Sequence, residues 1–182
     1  MKDAPESELG LDDIIVWNEM WNDLHLTHYN SYYEELCAEH SVKLLGRFDA
    51  VFKIAELSTA SGSAIAGWTL WHLEGFRAVW AILAGSTVVL SIVHSVLKIS
   101  DKIETDTLAY SVFKSIRLQC ERLRSNMKIR VYERLADYKN DFKYLTSQFD
   151  SASANQNKPD FLLSKSTEEK IQSKLNRIIE AS

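Results

Sequence analysis

One stretch of the chain, AVWAILAGSTVVLSIVHSVL, is predominantly hydrophobic and runs from Ala78 to Leu97 without a charged residue. Twenty residues of α-helix rise about 30 Å, the thickness of the hydrocarbon core of a bilayer. Ten of these residues are Val, Ile or Leu, and together they favour insertion by roughly 3 to 6 kcal/mol. The pattern predicts a membrane-spanning helix over residues 78–97, with a buried core helix of a soluble bundle as the alternative.

The preceding stretch, residues 50–71, is less apolar and is rich in small residues. Small side chains let helices approach closely in lipid, where no hydrophobic force drives helices together. Ala60, Ala64 and Gly67 recur at helical spacing and form the predicted packing face. Because Glu56 is costly in lipid unless it lies near one end of a span, we expect a marginal span that inserts beside the more apolar one.

The short connection between the two segments predicts an antiparallel two-span transmembrane hairpin. Basic residues flank both ends of the hairpin, whereas the connection holds only Arg77, so the positive-inside rule places both termini in the cytoplasm. Aromatic residues near the far interface fit an aromatic belt. These residues are Trp68, Trp71, Phe76 and Trp80.

Polar side chains form a stripe on each predicted span, and they are expected to face protein or water because polar groups are costly in lipid. Pairing residues across the connection puts Glu56 level with Ser91 and about one helical turn from His94. Two interpretations stay open: the stripes line a pore built from several copies, or they bond across the hairpin and stabilise it. The candidate residues are Glu56, Thr59, Ser63, Thr87, Ser91 and His94.

Apolar residues also recur after the hairpin, in nine steps that cover 33 residues from Ile116 to Phe149. Steps of this length keep an apolar stripe on one nearly straight helix. Because no Gly or Pro interrupts residues 103–149, we predict one long amphipathic helix that packs on the N-terminal segment. A linker follows, and then a capping box at Ser166 and Glu169 predicts a last helix that docks on the bundle or on another subunit.

The chain is therefore predicted to be all-α, with a two-span transmembrane hairpin and long cytoplasmic helices at both ends. The predicted parts are an N-terminal cytoplasmic helical segment (1–47), the hairpin (48–98, with spans at about 50–71 and 78–97), a long cytoplasmic helix (99–149), and a linker with a C-terminal helix (150–182). The rarity of Pro and Gly supports this nearly all-helical prediction.

Composition excludes several classes of protein. A net charge of −4 argues against nucleic-acid binding by the whole chain, and a mean hydropathy of −0.19 against a polytopic transporter. The acidic N-terminus lacks the apolar region of a secretory signal. Cys37 and Cys120 lie too far apart to suggest a disulfide framework.

A run of basic residues follows the hairpin, with only Glu121 and Glu133 against it. It is either a solvated helix face or a surface that attracts anionic lipid or a phosphate-bearing ligand. Without a glycine-rich loop a phosphate cradle is not supported. The residues are Lys114, Arg117, Arg122, Arg124, Lys128, Arg130 and Arg134.

Zinc-like spacing occurs within two pairs, His25 with His28 and Cys37 with His40. On a continuous helix the twelve-residue offset holds the pairs about 18 Å apart, so no metal is predicted. The sequence shows no Ser–His–Asp set, paired catalytic carboxylates or nucleotide fingerprint. We expect neither an enzyme nor a cofactor.

The order of elements resembles the SLATT family, the SMODS- and SLOG-associating two-transmembrane effectors of bacteria. The resemblance covers about Tyr29 to Phe149: an aromatic-rich helix (HYNSYYEELCAEHSVKLLGRF), a small-residue span, a short loop, an apolar span and a long charged helix. It is architectural, without an invariant motif, and it carries over no catalytic residue. It implies a membrane effector of antiviral defence that perforates or depolarises the inner membrane when a partner protein makes or senses a nucleotide signal.

The sequence thus predicts a non-enzymatic effector in the bacterial inner membrane, self-associating, with a nucleotide-synthesising or nucleotide-sensing partner and no nucleic acid bound. Two alternatives stay open: a holin-like small membrane protein, and a soluble helical-bundle adaptor whose core holds both apolar segments.

Overall fold

The computed structural model describes residues 11–70, 74–129, 134–155 and 164–180. Over these residues the chain is helical and has no strand, which confirms the predicted all-α class. The helices are α1 (Leu11–Leu70), α2 (Glu74–Leu97), α3 (Ile99–Ile129), α4 (Leu135–Ala154) and α5 (Lys165–Glu180).

The helices form two compact units. Unit 1 comprises Met1–Glu39 and Leu108–Ser182, and unit 2 comprises His40–Thr107. Helix α1 contributes its first part to unit 1 and the remainder to unit 2, so one unbroken helix runs through the predicted border between residues 47 and 48.

Unit 1 is built around a core shared by α1, α3 and α4. Trp17 of α1 meets Tyr138 of α4 edge to face, with ring centroids 5.2 Å apart, and Phe113 of α3 meets Phe149 of α4 at 6.0 Å. This geometry is one that aromatic pairs prefer. The buried residues of the core are Met20, Leu24, Phe113, Ile116, Cys120, Leu123, Met127, Tyr138 and Leu145.

The single long helix predicted over residues 103–149 is wrong, because α3 and α4 are separate helices. They run antiparallel: Tyr138 donates a hydrogen bond to the backbone carbonyl of Asn126 (3.2 Å), while Phe149 contacts Phe113. The regular apolar stripe fits two helices as well as one, since each needs only its own apolar face. Folding back buries both stripes against α1, and packing of this kind outweighs the propensity to continue a helix.

The C-terminal helix α5 docks on α1 of the same unit. Docking on the bundle is one of the two possibilities predicted from the sequence. Ile171 and Leu175 are buried with Leu36 and Cys37, beside Tyr29 and Tyr33. The predicted capping box at Ser166 is displaced: α5 begins at Lys165, and the hydroxyl of Ser164 accepts a 3.4 Å hydrogen bond from the backbone N–H of Thr167.

Unit 2 contains residues 40–70 of α1, all of α2 and the first residues of α3. Lys98 separates α2 from α3 in a left-handed conformation with φ 45°, which costs a residue with a side chain about 1–2 kcal/mol. Over the residues that the structure describes, no helix combines the length and the apolarity needed to cross a membrane.

Candidate functional site

Many of the large apolar side chains described in unit 2 are exposed, although Leu45 and Ile99 are buried. Every large apolar residue of α2 whose side chain is described is exposed, with a relative accessibility of 39–72%. These residues are Val79, Ile82, Val88, Val89, Ile92, Val93 and Val96. At 100° per residue they cover an arc of about 180° along the length of α2, so the exposed apolar surface is one continuous face.

The middle of α1, in the same unit, adds four exposed apolar residues with a relative accessibility of 50–69%. They are Phe48, Val51, Ile54 and Leu57. We call these eleven residues of α1 and α2 the apolar belt. Single exposed hydrophobic residues are ordinary on soluble proteins, but an apolar face such as that of α2 marks a surface that meets a membrane or another protein.

Most of the predicted intramembrane polar residues lie outside what the structure describes. Ser91 is exposed on α2, next to Ile92 of the apolar belt. The side chains of Glu56, Thr59, Ser63, Thr87 and His94 lie outside the described residues, as do those of the predicted packing face, Ala60, Ala64 and Gly67. The same holds for the predicted aromatic belt. Both interpretations of the polar stripes therefore stay predictions.

Unit 1 contains a partly buried ion-pair cluster that joins α1 to α3: the side chain of Glu35 is 8% exposed and that of Glu121 is 44% exposed. Arg117 donates through Nε to Oε2 of Glu35 (2.5 Å) and through Nη1 to Oε1 of Glu121 (2.7 Å). Its guanidinium also lies over the ring of Tyr32, 4.6 Å from the centroid. Nε2 of His28 lies 3.3 Å from Oε1 of Glu121, so two residues of each helix meet in the cluster.

Burial governs the charges of this cluster. Burial lowers the pKa of His28, and the nearby Arg124 and Arg117 lower it further, against the opposing effect of Glu121. Burial would raise the pKa of Glu121, but hydrogen bonds from His28 and Arg117 hold it below the ordinary value. Both pKa shifts agree with a neutral His28 that donates a hydrogen bond from Nε2 to an ionised Glu121. The other ring nitrogen, Nδ1, is buried and has no hydrogen-bond partner among the described residues.

The predicted basic face is only partly free to bind a ligand. Arg117 is held in the ion-pair cluster, and Arg124 lies over the ring of Trp21 at 5.6 Å. Lys114 contacts the ring of Tyr110 at 5.4 Å. Arg122, Lys128 and Arg134 are exposed, and Arg130 lies outside the described residues. These internal contacts favour the interpretation of a solvated face over that of a phosphate site.

The cysteine and histidine pairs are not brought together into a metal site. Cys37 is buried beneath α5, and His28 is engaged with Glu121. Burial raises the pKa of the Cys120 thiol to about 12, so it is inert at neutral pH. In the described part of the chain, no three His, Cys, Asp or Glu residues lie close enough to hold a metal ion.

The sequence analysis does not predict the ion-pair cluster, although the polar residues on the core face of α1 indicate that buried partners exist. His28, Ser31 and Glu35 lie at helical spacing on the face of α1 that continues the apolar stripe of Met20 and Leu24. Polar residues on a core face require buried partners. The sequence alone does not say that Arg117 and Glu121 of α3 provide them.

Comparisons with known proteins add no relative to these observations. The chain matches no protein-family model, and neither the curated proteins nor the solved structures give a significant match.

Proposed function

We propose that this protein is a membrane effector of bacterial antiviral defence, held in the inner membrane by a two-span hairpin formed from about residues 50–71 and 78–97. The apolar belt is the observation that carries the proposal. Both termini lie in the cytoplasm, and a nucleotide-synthesising or nucleotide-sensing partner activates the chain. Self-association of several copies then perforates or depolarises the membrane.

Lipid is the solvent that best accounts for the apolar belt. Full burial of one Val, Ile, Leu or Phe side chain is worth about 1.5–3 kcal/mol, so a belt of eleven such residues is a large penalty in water. Acyl chains remove that penalty without a protein partner. A soluble adaptor whose core holds both apolar segments would instead bury Val88, Val89 and Ile92, which are exposed in unit 2.

The cellular role has separate support from the order of elements that resembles the SLATT family. The resemblance rests on the order along the sequence of an aromatic-rich helix, a small-residue segment, a short loop, an apolar segment and a long charged segment. The division of α3 from α4 alters the last element of the resemblance from one long helix to an antiparallel pair.

Carbonate extraction of membranes from cells that express the chain tests the membrane location. We expect the natural chain in the pellet and Val89→Asp largely in the supernatant, because a carboxylate in the belt is costly in lipid. Val112→Asp is the matched control, since Val112 is also exposed on a helix but lies outside the belt. Natural protein that washes out with carbonate contradicts the proposal.

A membrane-potential dye tests the lesion. Expression together with the activating partner is expected to collapse the potential, and Glu56→Lys is expected to change which ions pass if the polar stripe lines the path. Glu104→Lys, an exposed site on α3, controls for the change in charge. A collapse with unaltered selectivity in Glu56→Lys argues that the stripe only packs. An unchanged potential under activating conditions contradicts perforation itself.

A further inference from the structure

We propose that the effector assembles through unit 1, with the outer face of α1 in one copy packed antiparallel on the outer face of α3 in the next copy. This contact is the surface through which copies self-associate in the proposed function. It rests on that function for one point, the insertion of all copies in one membrane. Copies inserted in one membrane share one orientation, so their α1 helices run in the same direction. Since α1 and α3 of one chain run antiparallel (His28 meets Glu121, and Glu35 meets Arg117), α1 meets the neighbouring α3 antiparallel as well.

The outer face of α1 combines apolar and acidic residues. Ile15 and Leu26 lie on the side of the helix opposite the buried Met20 and Leu24, and these two residues are 49% and 57% exposed. Between them, on the same side of the helix, lie the exposed Glu19 and Asp23. A solvated face needs charges but not two large hydrophobic residues three turns apart.

The outer face of α3 has the same layout with the opposite charge. Leu118 and Ile129 lie opposite the buried core residues of α3, and these two residues are 49% and 70% exposed. Arg122 lies between them and is exposed. The two apolar residues are eleven positions apart on each helix, which is about 16 Å.

One antiparallel register satisfies all these residues together. When Ile15 faces Ile129, Leu26 faces Leu118, and Arg122 comes between Glu19 and Asp23 on the same flank of the contact. Relative to the pairing of α1 with α3 inside one chain, the register is shifted by about six residues, or about 9 Å. Charge complementarity and equal apolar spacing thus favour a second copy as the occupant.

The contact joins two different surfaces and therefore repeats from copy to copy. A contact of this kind closes into a ring if the rotation between copies closes, and otherwise continues as an open array. Either form gathers several hairpins, which a lesion lined by more than one copy requires.

Disulfide trapping in membranes of expressing cells tests the contact. The double variant Leu26→Cys/Leu118→Cys is expected to give a ladder of dimers, trimers and larger species on oxidation, because each chain presents one cysteine to each neighbour. Each single variant alone is expected to stay monomeric, and a mixture of the two is expected to stop at the dimer. Leu26→Cys/Ile129→Cys is the control out of register. The natural chain gives the background from its buried Cys37 and Cys120.

Reversing the charges at the contact gives a second test, again measured by the yield of disulfide-linked species. Arg122→Glu in the Leu26→Cys/Leu118→Cys chain is expected to lower the ladder yield about tenfold, since it sets three carboxylates together. Adding Glu19→Arg and Asp23→Arg is expected to restore the ladder. Lys114→Glu, on the other flank of α3, is the control and is expected to change little.

The outcomes separate this inference from the proposed function. A chain that resists carbonate extraction but gives no ladder overturns the contact and leaves the membrane location standing. A ladder from a chain that carbonate extracts supports the contact and contradicts the membrane location. Dimers from either single-cysteine variant alone indicate a symmetric contact and overturn the head-to-tail arrangement.

Discussion

The two units use similar residues in opposite ways. In unit 1, helices rich in Leu, Ile and aromatic residues turn them inward, so that Leu24, Phe113 and Ile116 are almost inaccessible. In unit 2, Val and Ile of α2 lie on the surface. Unit 1 buries one apolar face of each of α1, α3 and α4 in a common core, whereas the described Val and Ile side chains of α2 in unit 2 are exposed. The comparison teaches that apolar content alone does not define a core: what matters is which medium meets the apolar face.

The largest expected effect compares one isoleucine from each unit. Ile116→Ala is expected to lower the free energy of unfolding by about 2–5 kcal/mol, because Ile116 is fully buried and its loss leaves a cavity. Ile82→Ala, at a position with 71% exposure, is expected to change it by no more than about 0.5 kcal/mol. Denaturant unfolding in detergent, followed by tryptophan fluorescence, measures both. Equal costs at the two positions contradict the comparison.

An ion pair from each unit gives the next effect. Arg117→Ala leaves Glu35 buried without its cation, and we expect a loss of about 2 kcal/mol or more. Lys53→Ala breaks the pair with Asp49 (2.7 Å) in unit 2, in which the lysine side chain is 62% exposed, and a pair with a solvated partner of this kind contributes no more than about 0.5–1 kcal/mol. The same unfolding measurement decides the point. If both variants lose the same free energy of unfolding, the ion-pair cluster in unit 1 contributes no more to stability than the pair in unit 2.

A smaller effect is expected at the turn between α2 and α3. Lys98→Gly removes the strain of the left-handed conformation and is expected to stabilise the chain by about 1 kcal/mol. Lys102→Gly, one turn later inside α3, is the control and is expected to destabilise by more than this amount, because it also breaks the ion pair with Asp106 (3.3 Å). Thermal unfolding compares the two variants, and destabilisation by Lys98→Gly would show that the left-handed conformation is not occupied.

The smallest expected effect is a pH dependence confined to unit 1. Because the pKa of His28 is lowered in the fold, the unfolded chain takes up its proton first as the pH falls through the ordinary value of about 6.5. Stability is therefore complete above that pH and is lost below it. Glu121, whose pKa is lowered in the fold, adds a further loss at more acidic pH. His28→Gln is expected to flatten the decline near pH 6, and unfolding curves at pH 7.5 and 5.5 measure it. If His28→Gln keeps the full loss of stability between pH 7.5 and 5.5, groups other than His28 cause that loss.

The sequence predicts helices well and the arrangement of helices less well. The apolar spacing of Ile171 and Leu175 correctly predicts a docking face, because a stripe of that kind reports on one helix alone. The spacing from Ile116 to Phe149 does not reveal the fold-back of α4, because two packed helices and one straight helix need the same stripe. The ion-pair cluster depends on contacts between residues such as Glu35 and Arg117, and a pattern along one helix holds no information about such partners.

Accessibility of single cysteines in sealed membrane vesicles tests the central claim most directly. Val89→Cys lies in the apolar belt, and Val112→Cys is its exposed counterpart in unit 1. If lipid solvates the belt, a water-soluble maleimide modifies Val112→Cys in the native membrane and modifies Val89→Cys only after detergent is added. Equal modification of both cysteines without detergent would contradict the account.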